Sequence, residues 1–207
     1  WGGTDCDDQD AAVTSCSLAQ IGLTEIGTLP NGGFAQASAI TDEDNGRLVI
    51  YGGHRYHTLS EDLQSYDFID GSWQQLDPGG VLVGARMGHS AIWDPDNASM
   101  LVFGGQEHGA LSNELLALDL SVPGSEIWSL LLPKADAPDP RTNAAMVWDP
   151  NSQRILLVGG RGYHGPLADV WSLEIDVGGS ASWTQISTSG IDATRTGATA
   201  VYNAAHD

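Results

Sequence analysis

RLVIYGG at 47–53 recurs as SMLVFGG at 99–105 and as RILLVGG at 154–160, each an apolar run closed by two glycines. Ten residues after the first glycine stands an acid, Asp62, Glu114 or Asp169, and further on a tryptophan, Trp73, Trp128 or Trp183. The first glycines, Gly52, Gly104 and Gly159, are 52 and 55 residues apart, and the tryptophans 55 and 55 apart. Self-similarity at a fixed period sets the architecture before any local propensity does. A period of about fifty, built from short apolar strands, is that of four-stranded propeller blades.

The second copy shows the four strands of such a blade: GHSAIW at 88–93, SMLVFGG at 99–105, NELLALDL at 113–120 and EIWSLLL at 126–132. The first two are joined by DPDN at 94–97, matched by DEDN at 42–45 and DPNS at 149–152. Asp, Pro and Asn suit a hairpin because they preset φ or bond their own backbone. The glycine pair ends the second strand where a side chain is unwelcome, through positive φ or close backbone approach. Asp62-Leu63, Glu114-Leu115 and Asp169-Val170 open the third strand, and Tyr66-Asp67, Leu118-Asp119 and Leu173-Glu174 follow at a fixed step. The fourth-strand tryptophan is large enough to fill the space between neighbouring blades.

Over residues 32 to 207 this pattern resembles the kelch family, whose blades carry a Gly-Gly doublet, a Tyr-like position and a spaced Trp. The second and third copies depart from it with Leu118 and Leu173 at the Tyr position. The expected fold is all-β: a kelch-type β-propeller with three complete four-stranded blades near 32–77, 84–132 and 139–187. Partial blades are expected at both ends, from a strand at 23–29 and from residues 195–207, which begin at Arg195 within TRTGATAVY. Propellers close with roughly four to eight blades. Three whole blades leave the ring open, so the 207 residues are expected to be a stretch of a longer chain, or to close with another subunit.

Twenty-seven acidic residues against eight Lys and Arg give a formal charge of −19. Such a balance repels phosphate backbones and anionic membranes, and no apolar run has the roughly eighteen residues of a membrane span. Nucleic-acid binding and membrane insertion are therefore not expected. An acidic linker or calcium-binding segment is expected at 1–17, ahead of the partial propeller at 18–207; it contains WGGTDCDDQDAAVTSC at 1–16, where Asp5, Asp7, Asp8 and Asp10 are spaced to converge on a hard cation. DCDDQDAAV resembles the start of an Asp- and Cys-rich metal-binding repeat of bacterial secreted and surface proteins. That resemblance implies Ca²⁺ on those four aspartates and a disulfide between Cys6 and Cys16, hence an extracytoplasmic protein. The repeat's second half does not follow Cys16, and a solvated acidic linker is the competing reading. Two cysteines with no histidine nearby do not make a zinc site.

In a propeller, the loops after the glycine pairs emerge on one face. They read HRYHTLSE at 54–61, QEHGALSN at 106–113 and RGYHGPLA at 161–168. Arg55, Tyr56, His57, His108, Arg161, Tyr163 and His164 thereby crowd one rim of an acidic body, joined by His54. A rim of Arg, Tyr and His suits a carboxylate, a sugar or an acidic peptide. Arg86, Arg141 and Arg195 stand at the mouth of each innermost strand, either on that rim or bonding the carbonyls of a neighbouring blade.

No Ser elbow, P-loop, dinucleotide fingerprint or HExxH run is present, and Cys6 and Cys16 precede the first blade, out of place for the copper-radical chemistry of some kelch-type oxidases. The expected function is a non-catalytic extracellular module that recognises a protein or glycan through its loop face. The alternative is a structural subunit of an extracytoplasmic assembly with a Ca²⁺-stiffened joint; a propeller enzyme is the third reading.

Overall fold

The computed structural model describes residues 33–176, 179–187 and 194–203. Among them lie three four- or five-stranded sheets, three two-stranded hairpins and no helix. Blade 1 comprises Ser38–Asp42, Arg47–Tyr51, Leu63–Asp67 and Trp73–Gln75. Blade 2 comprises Ser90–Asp94, Ser99–Phe103, Leu115–Asp119 and Ile127–Leu131, and blade 3 Ala145–Asp149, Arg154–Val158, Val170–Ile175 and Ala181–Ile186. Strands adjacent in sequence are adjacent in each sheet, and the register follows the repeat: Ala39 faces Ile50, Ala91 faces Val102, Met146 faces Leu157. The aspartate opening each first turn fixes it locally. Asp42 Oδ1 accepts from the Asn45 N–H at 3.2 Å, Asp94 from Asp96 at 3.1 Å and Asp149 from Asn151 at 3.2 Å.

Side chains alternate across a strand, so a blade with a neighbour on each side must be apolar on both faces. Ser99–Phe103 is buried throughout: Met100 and Val102 join the core shared with blade 1, Leu101 and Phe103 the core shared with blade 3. In blade 1 only Val49 and Tyr51 of the apolar run are buried, and in blade 3 only Ile155 and Leu157, each facing blade 2. Trp128 and Trp183 fill the wedges between blades as expected, whereas Trp73 packs on Tyr66 of its own blade. Trp128 meets Tyr51 at 5.1 Å between ring centroids, and Trp183 meets Phe103 at 5.0 Å. Leu118 and Leu173, where the kelch pattern favours an aromatic, are as buried as Tyr66 and hold the core by shape alone.

Two features depart from the expected blade plan. Blade 2 has a fifth strand, Gly79–Gly80, running parallel to Ile127–Leu131, with the Gly79 N–H on the Glu126 carbonyl at 2.9 Å. The chain leaving one blade thus runs along the outer edge of the next, and the Lys134 N–H repeats the contact on Ala181 in blade 3. Residues 195–203, expected to open a fourth blade, lie beside the innermost strand of blade 3 but form no ladder. They are joined by the Gly197 N–H to the Asn143 carbonyl, 2.9 Å. That bond continues a series, since Asn143 donates to Gly88 at 2.7 Å and Gly88 to Gln36 at 2.9 Å. All four residues have φ between 53° and 68°. Beside this series, the innermost strands line a cavity of about 390 Å³. The strand expected at 23–29 and the segment 1–17 lie outside the described residues.

Candidate functional site

The second glycine of each pair ties its blade to the next. Gly53 donates to the Arg86 carbonyl at 2.8 Å, Gly105 to Arg141 at 2.9 Å and Gly160 to Arg195 at 2.7 Å. These glycines have φ of 90°, 95° and 100°, and a Cβ would fall 2.8–2.9 Å from the Ala35 carbonyl, the His89 Cβ and the Thr142 carbonyl. No other residue fits.

Arg86 and Arg141 are each 1% exposed and are not rim groups. Their guanidinium groups turn back into their own blade, not to the neighbour. Arg86 donates to the Gly104 carbonyl at 3.1 Å and to Glu114 at 3.0 Å, and pairs with Glu107. Arg141 donates to the Gly159 carbonyl at 2.9 Å and grips both Asp169 oxygens at 2.6 and 2.8 Å. This explains the acid ten residues after the first glycine: it is the internal arginine's counterion. Burial works against the Asp169 charge, but bonds from Arg141 and the Trp171 indole hold its carboxyl below the usual range. Arg195, by contrast, is exposed and donates to the Thr194 carbonyl at 3.0 Å.

Each segment after the glycine pair is a β-hairpin rather than a loop: His54–Arg55 with Thr58–Leu59, Gln106–Glu107 with Ala110–Leu111, and Arg161–Gly162 with Gly165–Pro166. The first two turn through residues with both φ positive, Tyr56-His57 and His108-Gly109, the combination that matches strand twist. The hairpins are pinned at their roots by bridges of Ala35 to His54, Met87 to Gln106 and Thr142 to Arg161. Arg55, Tyr56, His57, His108, Arg161, Tyr163 and His164 are all exposed on them, with Tyr56 at 90% and Tyr163 at 65%. Tyr163 also bridges hairpins, its hydroxyl accepting from the Leu111 N–H at 2.9 Å. His57, His108 and His164 do not form a metal site; among the described residues no three His, Cys, Asp or Glu are grouped to hold an ion. Asp5, Asp7, Asp8, Asp10, Cys6 and Cys16 lie outside the described residues.

The two most strongly shifted titrating groups lie between blades. Burial, only partly offset by Arg86, pushes the Tyr51 hydroxyl up to about 12, and it donates to the Gly84 carbonyl at 2.8 Å. Burial and the Arg86 charge push His89 down to about 3. The His89 ring lies tilted against that of Tyr51, centroids 5.1 Å apart, and among the described residues neither of its nitrogens has a hydrogen-bond partner.

At the foot of the first hairpin, a cleft of about 540 Å³ is lined by Phe34, Arg55, Tyr56, Ser60, Glu61 and Asp62, among others. The Arg55 guanidinium stands 5.9 Å above the Phe34 ring. Sequence reasoning singled out Arg55 and Tyr56 for binding and Asp62 only as a mark of the repeat, and passed over Phe34 and Glu61. The signal was there: eighteen residues before the first glycine, blades 2 and 3 have Arg86 and Arg141, and blade 1 has Phe34.

Gly-Gly blades stitched through an arginine carbonyl, with a crown of exposed hairpins, define a kelch-type β-propeller. The chain belongs to the kelch-repeat family, for residues 37–206 match the family model of the KLHDC2/KLHL20/DRC7 Kelch-repeats domain. Among curated proteins, it is 34% identical over 101 residues to acyl-CoA-binding domain-containing protein 4 of Arabidopsis thaliana, covering 48% of this chain and 14% of that protein. It is 32% identical over 120 residues to Rho GTPase-activating protein gacHH of Dictyostelium discoideum, covering 56% of this chain and 8% of that one. The chain therefore spans only a small part of the curated relatives it matches. The solved structure of YjhT superposes with a TM-score of 0.63 over 82% of this chain and 56% of YjhT, at 18% identity, a likeness of fold.

Proposed function

We propose that this chain is a protein-binding module that captures its partner on the hairpin face. The observation carrying this reading is the exposure of Arg55, Tyr56, Arg161 and His164 on hairpins whose roots are held by backbone bridges to the blades. Side chains presented from a fixed base lose less freedom on docking, and arginine and tyrosine are the residue types that dominate protein interfaces. The role is binding rather than catalysis, because the strongly shifted groups Tyr51 and His89 belong to the packing between blades 1 and 2. A glycan is the second reading, favoured by the Tyr56 ring, which offers a free stacking face beside Arg55. An extracytoplasmic setting, with Ca²⁺ on Asp5, Asp7, Asp8 and Asp10 and a Cys6–Cys16 disulfide, is part of the same proposal, and thiol titration of the purified chain tests it.

Peptides selected from a displayed library against the 207-residue chain provide the test. The triple variant Arg55→Ala, Arg161→Ala, His164→Ala is expected to weaken their binding at least about tenfold. Binding that survives the triple change but is lost in EDTA moves the interface to the acidic N-terminal segment and ends the hairpin reading.

A further inference from the structure

We infer that the cleft of blade 1 is a receptor for an arginine side chain supplied by a protein partner, a guanidinium taking the place that Arg86 and Arg141 occupy in blades 2 and 3. The inference rests on the protein-binding reading and names the chemistry of one contact. In blades 2 and 3 the internal guanidinium lies between two acceptors, the carbonyl of the first glycine and the acid ten residues on. Blade 1 keeps both acceptors. Gly52 donates to the Asp62 carbonyl at 3.0 Å, as Gly104 does to Glu114 and Gly159 to Asp169. Ser60 Oγ accepts from the Asp62 N–H at 3.0 Å, as Ser112 Oγ does from Glu114. The acid is thus held on the same backbone frame in all three blades, but in blade 1 the donor is gone.

Phe34 stands where the arginine should be, and among the described residues neither the Gly52 carbonyl nor the Asp62 carboxylate receives a donor in its place. Arg55, the cation on the cleft wall, lies over the Phe34 ring and among the described residues pairs with no carboxylate. Residues 1–32 contain no Lys, Arg or His, so that segment holds no cation to fill the place. Glu61 and Asp62 together outweigh Arg55, and the charge of −19 draws a basic partner towards the whole body. A guanidinium suits the site better than an ammonium, because its planar fork can grip the Asp62 carboxylate with two donors and lie against the Phe34 ring, both of which line the cleft. The cleft volume of about 540 Å³ leaves room for its three methylenes and the backbone that carries them.

The test titrates N-acetyl-arginine amide into the isotope-labelled 207-residue chain and follows the Asp62 side-chain carboxyl and nearby amide resonances. N-acetyl-citrulline amide serves as the uncharged isostere. The arginine compound is expected to bind with Kd on the order of 1 mM, and the citrulline compound to leave the resonances in place. Phe34→Arg, which supplies the guanidinium from within, and Asp62→Asn, which removes the acceptor charge, are each expected to weaken arginine binding at least about tenfold. Equal binding of the two compounds, arginine binding that persists in both variants, or no shift at the Asp62 carboxyl overturns the inference. Because the probe is a free amino-acid derivative, that outcome leaves peptide capture by the hairpins standing. Loss of the hairpin reading shows instead in the triple variant with selected peptides.

Discussion

Arg141 and Arg161 lie twenty residues apart in the same blade, and they are opposites. Arg141 is 1% exposed and its guanidinium is bound to the Gly159 carbonyl and both Asp169 oxygens. Arg161 is exposed at the root of a hairpin, where its backbone bonds with Thr142 and pairs with Pro166. One is part of the frame and the other is displayed by it. Residue type therefore says little about role in this fold; what separates the two arginines is position within the repeat. The arginine eighteen residues before the glycine pair recurs between blades 2 and 3, whereas the hairpin position of Arg161 reads His54, Gln106 and Arg161 across blades.

Substitution can break that distinction. Arg141→Leu leaves the half-buried Asp169 with only the Trp171 indole as a donor and is expected to lower unfolding free energy by about 3 kcal/mol, read from urea denaturation. Arg161→Leu is expected to change it by less than about 0.5 kcal/mol. Similar losses in the two variants would erase the difference between frame and display.

A pair of glycines sharpens the same point. Gly105 at φ 95° lies on the frame, where a Cβ would come 2.9 Å from the His89 Cβ. Gly109 at φ 91° lies at a hairpin tip with open space around it. Gly105→Ala is expected to cost roughly 3 kcal/mol and Gly109→Ala roughly 1 kcal/mol. The backbone strain is common to both, so their difference in denaturation midpoint isolates the steric part.

His89 supplies a smaller, pH-dependent effect. Its folded pKa of about 3 lies below the ordinary 6.5, so the unfolded chain binds the extra proton between those values. The stabilisation is complete above pH 6.5 and is lost as pH falls towards 3. Between pH 7.5 and 5 the loss is about 2 kcal/mol. His89→Phe, whose ring needs no hydrogen bond, is expected to flatten that slope in denaturation curves recorded across the range; an unchanged slope assigns it to other groups.

The blades were legible in the sequence because glycine spacing and a tryptophan period survive any change of loop. The hairpin cations were legible too, as residues placed after each glycine pair. Burial of Arg86 and Arg141 was not, since an arginine beside a strand reads the same whether its counterion lies in the solvent or twenty-eight residues on. Gly79–Gly80 escaped for a related reason: two residues carry no periodicity, and only the edge of Ile127–Leu131 makes them a strand. The blade 1 cleft hides in a single departure, Phe34, which looks like an ordinary apolar residue until it is aligned with Arg86 and Arg141.

The glycine–arginine stitch has an evolutionary consequence. Its two halves are chemically separate: the bond between blades ends on a main-chain carbonyl, while the bond within a blade ends on a guanidinium. Any residue has a carbonyl, so blade-to-blade coupling is inherited whatever side chain mutation places there. The arginine can then be lost from one blade without unfastening its neighbours, and the acceptors it leaves behind become raw material for a new specificity.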